Sequence, residues 1–331
     1  MADKRTDQVF AYIRDVWDLK TEDIDAIDTE AFIEKVKRVH KGLSAEHEFA
    51  AIAAWLGKCS LITQLDSALH SSDQYRVPDF LVVVKRKGKD VPFLVEVKTD
   101  HDDKLDWRPD YLESLQAFAT MMRLPLLIAW KHHGLWVLTD SARFTKKVTN
   151  YHLTFEDAVK NSLMSELFGN HWITFAEGFR LELKMRIQDE IDATVELLPE
   201  GGYNMVIEAA GVWTNKGRLN KEDERSLWWF LIAAMDGEEF SRDGYIITQQ
   251  FPAKSEGMFN LSDVLMSQLV WNKGDRDSID WLMEIRKGLP VPPADLDHIL
   301  QRALDLGAVH YVLRQAPQEV PSFLRQGQGS V

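Results

Sequence analysis

The chain has 331 residues, of which 45% are hydrophobic and 27% charged, and its formal net charge is −13. That composition can bury a core in one large or two modest domains and excludes a disordered chain. The single cysteine, Cys59, excludes an internal disulfide framework and a zinc site built from several thiolates. No run of 18 apolar residues marks a membrane span, and MADKRTDQVFAYIRDVWDLK is too charged for a signal peptide, so a reducing, cytoplasmic setting without membrane contact is expected. Residues 1–40 read as helical and mostly exposed, with Asp28 or Thr29 as a cap for a helix through Ala31–His40. In KGLSAEHEFAAIAAWLG (41–57), Ser44 caps a helix, Gly57 stops it, and Phe49, Ile52, Ala53 and Leu56 form its apolar stripe. CSLITQL (59–65) reads as a strand. RVPDFLVVVKRKGKDVPFLVEVKT (76–99) reads as two strands around a Gly88-centred turn, the continuous Leu81–Val84 run suiting a central strand covered on both faces. A helix follows at 110–124, then strands at 125–132 and 135–140 about a His133-Gly134 turn.

The second half predicts strands within 172–186 and 202–212, a helix over 221–237 with Phe230 and its Trp neighbours in the core, and a strand at 245–250. Helices over 261–269, 278–286 and 294–306, a closing strand at 309–313 and a disordered tail complete the reading. The expected organisation is an N-terminal helical extension (1–30), an α/β unit (31–150) and an acidic α+β accessory region (151–331).

Chemistry concentrates in one place. Pro78-Asp79 opens a hydrophobic strand, and Glu96 and Lys98 sit two apart on the next one, on one face by the two-residue period of a strand. Hairpin pairing brings Asp79 beside Glu96. Three ionised groups on buried strands are costly unless they bind something. Two carboxylates make a hard oxygen site for a divalent cation, Mg²⁺ with Mn²⁺ as a substitute, and the Val97 carbonyl can add a ligand. A lysine at its rim can orient water and neutralise charge developing on a phosphate. Glu-Val-Lys alone is common on the solvent face of an ordinary strand; the order strand, Pro-Asp, tight hairpin, apolar pair, Glu-Val-Lys is more restrictive.

These residues resemble the motif of the PD-(D/E)xK nucleases and, over about residues 40–140, that of the archaeal Holliday junction resolvase branch. The motif falls on Pro78, Asp79, Glu96 and Lys98. The branch's glycine followed four residues later by a glutamate falls on Gly42 and Glu46, and PLLIAWKHHGLWVL (125–138) is similar to its strand after the long helix. The resemblance implies a restriction-endonuclease-like mixed sheet flanked by helices. It also implies phosphodiester hydrolysis, with Asp79, Glu96 and Glu46 as the acidic set around Mg²⁺ and Lys98 positioning water. Periodicity does not choose between Glu46 and Glu48; the preference for Glu46 comes from the resemblance. Gln116 matches a glutamine that related nucleases aim at the site, although Thr120 stands where an aromatic sometimes follows.

Residues 1–150 carry near −2 and 151–331 carry −11, while 31–99 carry +3 with a local run at Lys85, Arg86, Lys87 and Lys89. Lys85, Arg86, Lys87, Arg108 and Lys131 are candidate nucleic-acid contacts, with Trp107 and Tyr111 able to stack on bases. The basic run is equally a solvated hairpin tip, and HDDKLD (101–106) would repel a backbone. His132 and His133 point oppositely on a strand and make a poor shared metal site. The leading expectation is a divalent-metal-dependent DNA endonuclease of defence or repair, working as a homodimer because one site cuts one strand, with its acidic half as an interface for a protein partner. The alternatives are a catalytically weak nuclease fold used for binding or scaffolding, and metal-dependent chemistry on another phosphate.

Overall fold

A computed structural model describes residues 45–65, 74–190, 202–254, 256–264, 266 and 296–325. The expected helices before residue 41 and over 278–286, together with Gly42, Ser44 and the tail, lie outside the described residues, as do the side chains of Trp228 and Trp229.

Helix α1 (45–55) ends where Gly57 takes φ +83, and its Phe49, Ile52, Ala53 and Leu56 are buried as their spacing predicts. Phe49 packs its ring against Phe80, Trp136 and Phe168 at 6.3, 5.4 and 5.8 Å. Strand β1 (Cys59–Gln64) pairs antiparallel with β2 (Phe80–Arg86), which pairs antiparallel with β3 (Lys89–Thr99). Lys87 and Gly88 both take positive φ, 49° and 76°, giving the two-residue turn whose twist matches a hairpin. His133 and Gly134 repeat that solution, at 45° and 86°, between β5 (Leu126–His132) and β6 (Leu135–Asp140).

Between β3 and the next helix lies a strand that the sequence does not predict, β4 (Lys104–Trp107), which turns Leu105 and Trp107 inward. Helix α2 (Pro109–Met122) follows, with Pro109 in its first turn and Leu112, Leu115 and Ala119 buried. It makes the crossover that lets β3 and β5 run parallel, so the main sheet has the order β1-β2-β3-β5-β6. Both faces are covered: Val95 and Val97 join the apolar cluster on the α1 side, and Leu94 the cluster around α2.

Strand pairing continues past residue 150. Strands β7 (Thr145–Lys147) and β8 (Asn150–Thr154) pair with each other, and β8 also pairs with β4 before the short α3 (Phe155–Lys160).

The second region is α+β. Strands β9 (Trp172–Phe175) and β10 (Arg180–Ile187) divide the predicted 172–186 stretch. β10 lies between β11 (Met205–Thr214) and β14 (Ile246–Pro252), with β12 (Gly217–Arg218) and β13 (Glu239–Asp243) at the edges. Helix α4 (Lys221–Ala234) begins at an Asn220 cap and buries Phe230. Strand β15 (Phe259–Asn260) pairs with β9, and after α5 (Leu296–Leu306) the chain returns as β16 (Val309–Leu313) on the other side of β9. The α1-side apolar cluster continues through Leu167, Phe168, Ile173 and Phe175 into α4 and α5, so the two regions share a core. Among the described residues no helix is long and apolar enough to cross a membrane.

Candidate active site

The hairpin register, Phe80 opposite Val95, sets Asp79 across from the stretch that carries Glu96. Residues at alternate positions of β3 send their backbone groups to opposite neighbours. Leu94 donates to Pro125 on the β5 side, so Val97 faces the β2 side, where β2 has ended. Its N–H is received instead by Asp79 Oδ2 at 2.6 Å, and its carbonyl faces the same way. Glu96 and Lys98 point to the α2 side as the two-residue period requires. Lys98 Nζ pairs with Glu96 Oε1 at 2.6 Å; the Glu96 side chain is 5% exposed and the Lys98 side chain 30%, so the cation stands at the rim.

Tyr111 completes this contact from α2 by donating its hydroxyl to Glu96 Oε1. Its ring packs edge-on to Trp107 at 5.0 Å, and Lys98 Nζ lies 5.2 Å from the Tyr111 ring centre. Glu46, in the first turn of the described part of α1, accepts from Gln64 Nε2 at 3.1 Å.

The electrostatics bind these groups into one cluster. Burial, then Glu96, pushes Glu46 up to about 7, against the lowering effects of Lys98 and Gln64. Burial, followed by Glu96 and Glu46, holds Asp79 well above the usual carboxylate range despite Lys98 and the Val97 N–H. Burial alone would lower the Lys98 ammonium; Glu96, Tyr111 and Asp79 more than offset it and raise it. Burial and Glu96 likewise raise the Tyr111 hydroxyl. Among the described residues, three carboxylates thus share one ammonium in a poorly solvated corner.

That donor set fits a divalent cation in kind, being all oxygen and short of positive charge. It is not a ready-made cage. Among the described residues no group of three or more His, Cys, Asp or Glu side chains is placed to hold a metal ion. Asp79, Glu96 and Glu46 are turned to the Val97 N–H, to Lys98 with Tyr111, and to Gln64.

Residues 25–169 match the family model for the archaeal Holliday junction resolvase, Hjc. The match takes in the whole motif, less than half of the chain, and agrees with the resemblance read from the sequence. Among solved structures, Hjc from Archaeoglobus fulgidus, described as a Holliday junction resolvase from an archaeal hyperthermophile, is similar at a TM-score of 0.32 and 16% identity, over 39% of this chain and 96% of that one. No curated protein matches the chain.

Within the Hjc-like segment the other candidate residues separate. Glu48, the alternative to Glu46, is buried in a different contact, accepting from Lys131 Nζ at 2.6 Å and Trp136 Nε1 at 3.0 Å. Lys131, expected as a phosphate contact, is therefore the partner of a buried glutamate. Arg86 is likewise spent on the fold, pairing with Glu166 at 2.7 Å and donating to the Leu324 carbonyl at 3.2 Å. Lys85 and Lys87 are exposed at the hairpin tip, six or more residues along β2 from Asp79 and so about 20 Å away. Arg108 is exposed beside Asp110 at 3.2 Å.

Trp107 is no base-stacking platform: it is buried and stacked on Phe144 at 4.6 Å. Gln116 is half-buried on α2, about 140° around the helix from Tyr111, and the α2 side chain that reaches Glu96 is Tyr111. Sequence reasoning missed that contact, although Tyr111 follows Pro109, a helix-start signal that places it one turn into α2, near the motif strand. It also missed Gln64, whose position at the end of β1 opposite Phe80 puts it beside Asp79.

Proposed function

We propose that the chain is a divalent-metal-dependent endonuclease acting on DNA, with Asp79, Glu96, Glu46 and the Val97 carbonyl as the ligand set and Lys98 as the group that orients the attacking water. The observation that carries this reading is the gathering of Asp79, Glu96, Glu46 and Lys98 into one under-neutralised cluster at the end of the main sheet. The Hjc family match over 25–169 supports the same substrate class. Mg²⁺, or Mn²⁺ in its place, would supply Lewis-acid polarisation of a phosphate oxygen. Lys98, paired with the Glu96 carboxylate, holds its ammonium at the rim as a donor to water and to charge developing on the phosphate. Tyr111 fixes the Glu96 carboxylate through its hydroxyl. Gln116 is proposed only as a side chain lining the approach along α2. Lys85, Lys87 and Arg108 are the exposed cations proposed to meet the backbone of a longer DNA, and cutting both strands calls for a homodimer. The acidic second half is proposed as a surface for a protein partner.

A second reading, a nuclease fold retained for DNA binding or scaffolding, is favoured by the lack of a ready ligand group among the described residues. Incubation of the full chain with plasmid, single-stranded DNA, four-way junction DNA and RNA, with and without Mg²⁺, decides between them. Mg²⁺-dependent DNA cleavage that falls by about 100-fold in Lys98→Ala, in protein that is still folded at the assay temperature, is expected of the nuclease. Binding of DNA with no cleavage, or cleavage unchanged in Lys98→Ala, would overturn the assignment.

A further inference from the structure

A cleft of about 290 Å³ opens at the other end of β1 from Glu46 and Asp79, lined by Lys58, His171, Asp297, Leu300, Gln301, Leu304 and Arg314. It is assembled from four separate pieces of chain: the loop before β1, the loop before β9, helix α5 and the segment after β16. Among the described residues neither the half-buried Lys58 nor the exposed Arg314 is engaged in an ion pair, whereas the half-buried Arg86, Lys131 and Arg143 are each matched. The Lys58 side chain is guided into place by Gly169. A Cβ there would meet Lys58 Cε at 3.0 Å and Nζ at 3.3 Å, and Gly169 also takes φ +78.

His171 forms the floor. It is buried, and its Nδ1 is 2.8 Å from the buried Ser165 hydroxyl, which sits on a π turn (Met164–Phe168). With Nδ1 engaged by Ser165, Nε2 is the ring atom left to face the cleft. Three N–H bearing groups therefore converge on one pocket, against a single carboxylate, Asp297. Two leucines supply an apolar wall and Gln301 an amide.

We propose that this cleft binds a phosphate group, held by Lys58, Arg314 and His171 Nε2. Two unpaired cations beside a buried imidazole repel each other and any proton on the ring; an anion among them removes that cost. The state of His171 reflects this. Burial first, then Lys58 and Arg314, hold it down at about 4, with Asp297 and Glu166 pulling the other way. Glu166 is itself paired with Arg86. A bound phosphate would reverse the balance and lift the His171 titration. The volume admits a phosphate with a sugar but no duplex, so the phosphate comes either from a free nucleotide or inorganic phosphate, or from the end of a nucleic-acid strand.

Calorimetric titration of the full chain with inorganic phosphate, a nucleoside 5′-monophosphate, and an oligonucleotide with a 5′-phosphate or a 5′-hydroxyl tests the proposal. Binding that weakens by about tenfold or more in Lys58→Ala/Arg314→Ala, with an unchanged melting temperature, supports it, as does an upward shift of the His171 ring titration by phosphate in NMR. Equal affinity for the small phosphates and the 5′-phosphorylated strand points to a free phosphate ligand. A preference of about tenfold for the 5′-phosphorylated over the 5′-hydroxyl strand, with weak binding of the small phosphates, points to a strand end. The site does not depend on the nuclease reading. Failure of all four ligands to bind, an affinity unaltered in the double variant, or a His171 titration unmoved by phosphate would overturn the proposal.

Discussion

On the α1 face of the main sheet, buried Glu48 accepts from the Lys131 ammonium and the Trp136 N–H. Around the end of the same sheet, Glu46, Asp79 and Glu96 have Lys98 as their shared cation among the described residues. Glu46 and Glu48 are two residues apart on one helix, about 200° apart around its axis, and that rotation sends them to opposite electrostatic settings. The balanced pair has the form of a structural element, because each charge offsets the desolvation of the other. The unbalanced cluster costs stability in the absence of a further cation, and a fold has no reason to keep such a cost unless it is repaid on binding. The contrast separates a charge that holds the protein together from charges that the described residues leave under-neutralised, without appeal to motif spacing.

Mutation can break or sharpen this contrast. The largest effect is expected at Glu48. Glu48→Ala strands a buried ammonium and should destabilise the fold by about 3–5 kcal/mol in denaturant titration. A loss comparable to that of an ordinary surface substitution would place Glu48 outside the structural class. Next, Lys98→Ala should cut DNA cleavage by about 100-fold, roughly 2.7 kcal/mol in the barrier, in protein shown by circular dichroism to be folded at the assay temperature. Asp79→Asn should move stability in the opposite direction to Glu48→Ala, raising it on the order of 1 kcal/mol in metal-free buffer because one of three crowded anions is neutralised.

The sign with pH follows from the same crowding. Glu46, at about 7, and Asp79 both titrate above their unfolded values. Their contribution to stability is complete below the ordinary carboxylate range and is lost as pH rises through about 7. Melting temperatures of the metal-free protein should therefore fall between about pH 5 and 8, and saturating Mg²⁺ should flatten that slope. The smallest effects belong to the hairpin tip. Lys85→Ala and Lys87→Ala should each lower the salt dependence of DNA binding by about one unit and leave the metal-dependent chemistry in place.

The hairpin that carries the site was legible in the sequence because every local signal agreed. Val-rich runs flank Lys87-Gly88, the pair that a tight hairpin turn needs, and the register then follows. Strand β4 was not legible: Asp102, Asp103 and Asp106 outweigh the Leu105/Trp107 alternation, which only pairing with β8, 44 or more residues away, makes worthwhile. Edge strand β13, EFSRD, was missed for a related reason, since polar residues are what an exposed edge tolerates. At the site, Asp79, Glu96 and Lys98 could be read from strand period, whereas the choice between Glu46 and Glu48 needed the helix placed against the sheet. The roles of Arg86 and Lys131 depend on partners 80 and 83 residues away, beyond any local pattern.

The central claim, that the corner shared by Glu46, Asp79 and Glu96 is built to take a divalent cation, is tested most directly by calorimetric titration of the full chain with Mg²⁺ and Mn²⁺ at about pH 8, where Glu46 is mostly ionised. One saturable site is predicted, weakened by about tenfold or more in Asp79→Asn and unaltered in Lys87→Ala. Absence of such a site in the wild type, or an equal affinity in Asp79→Asn, would contradict it.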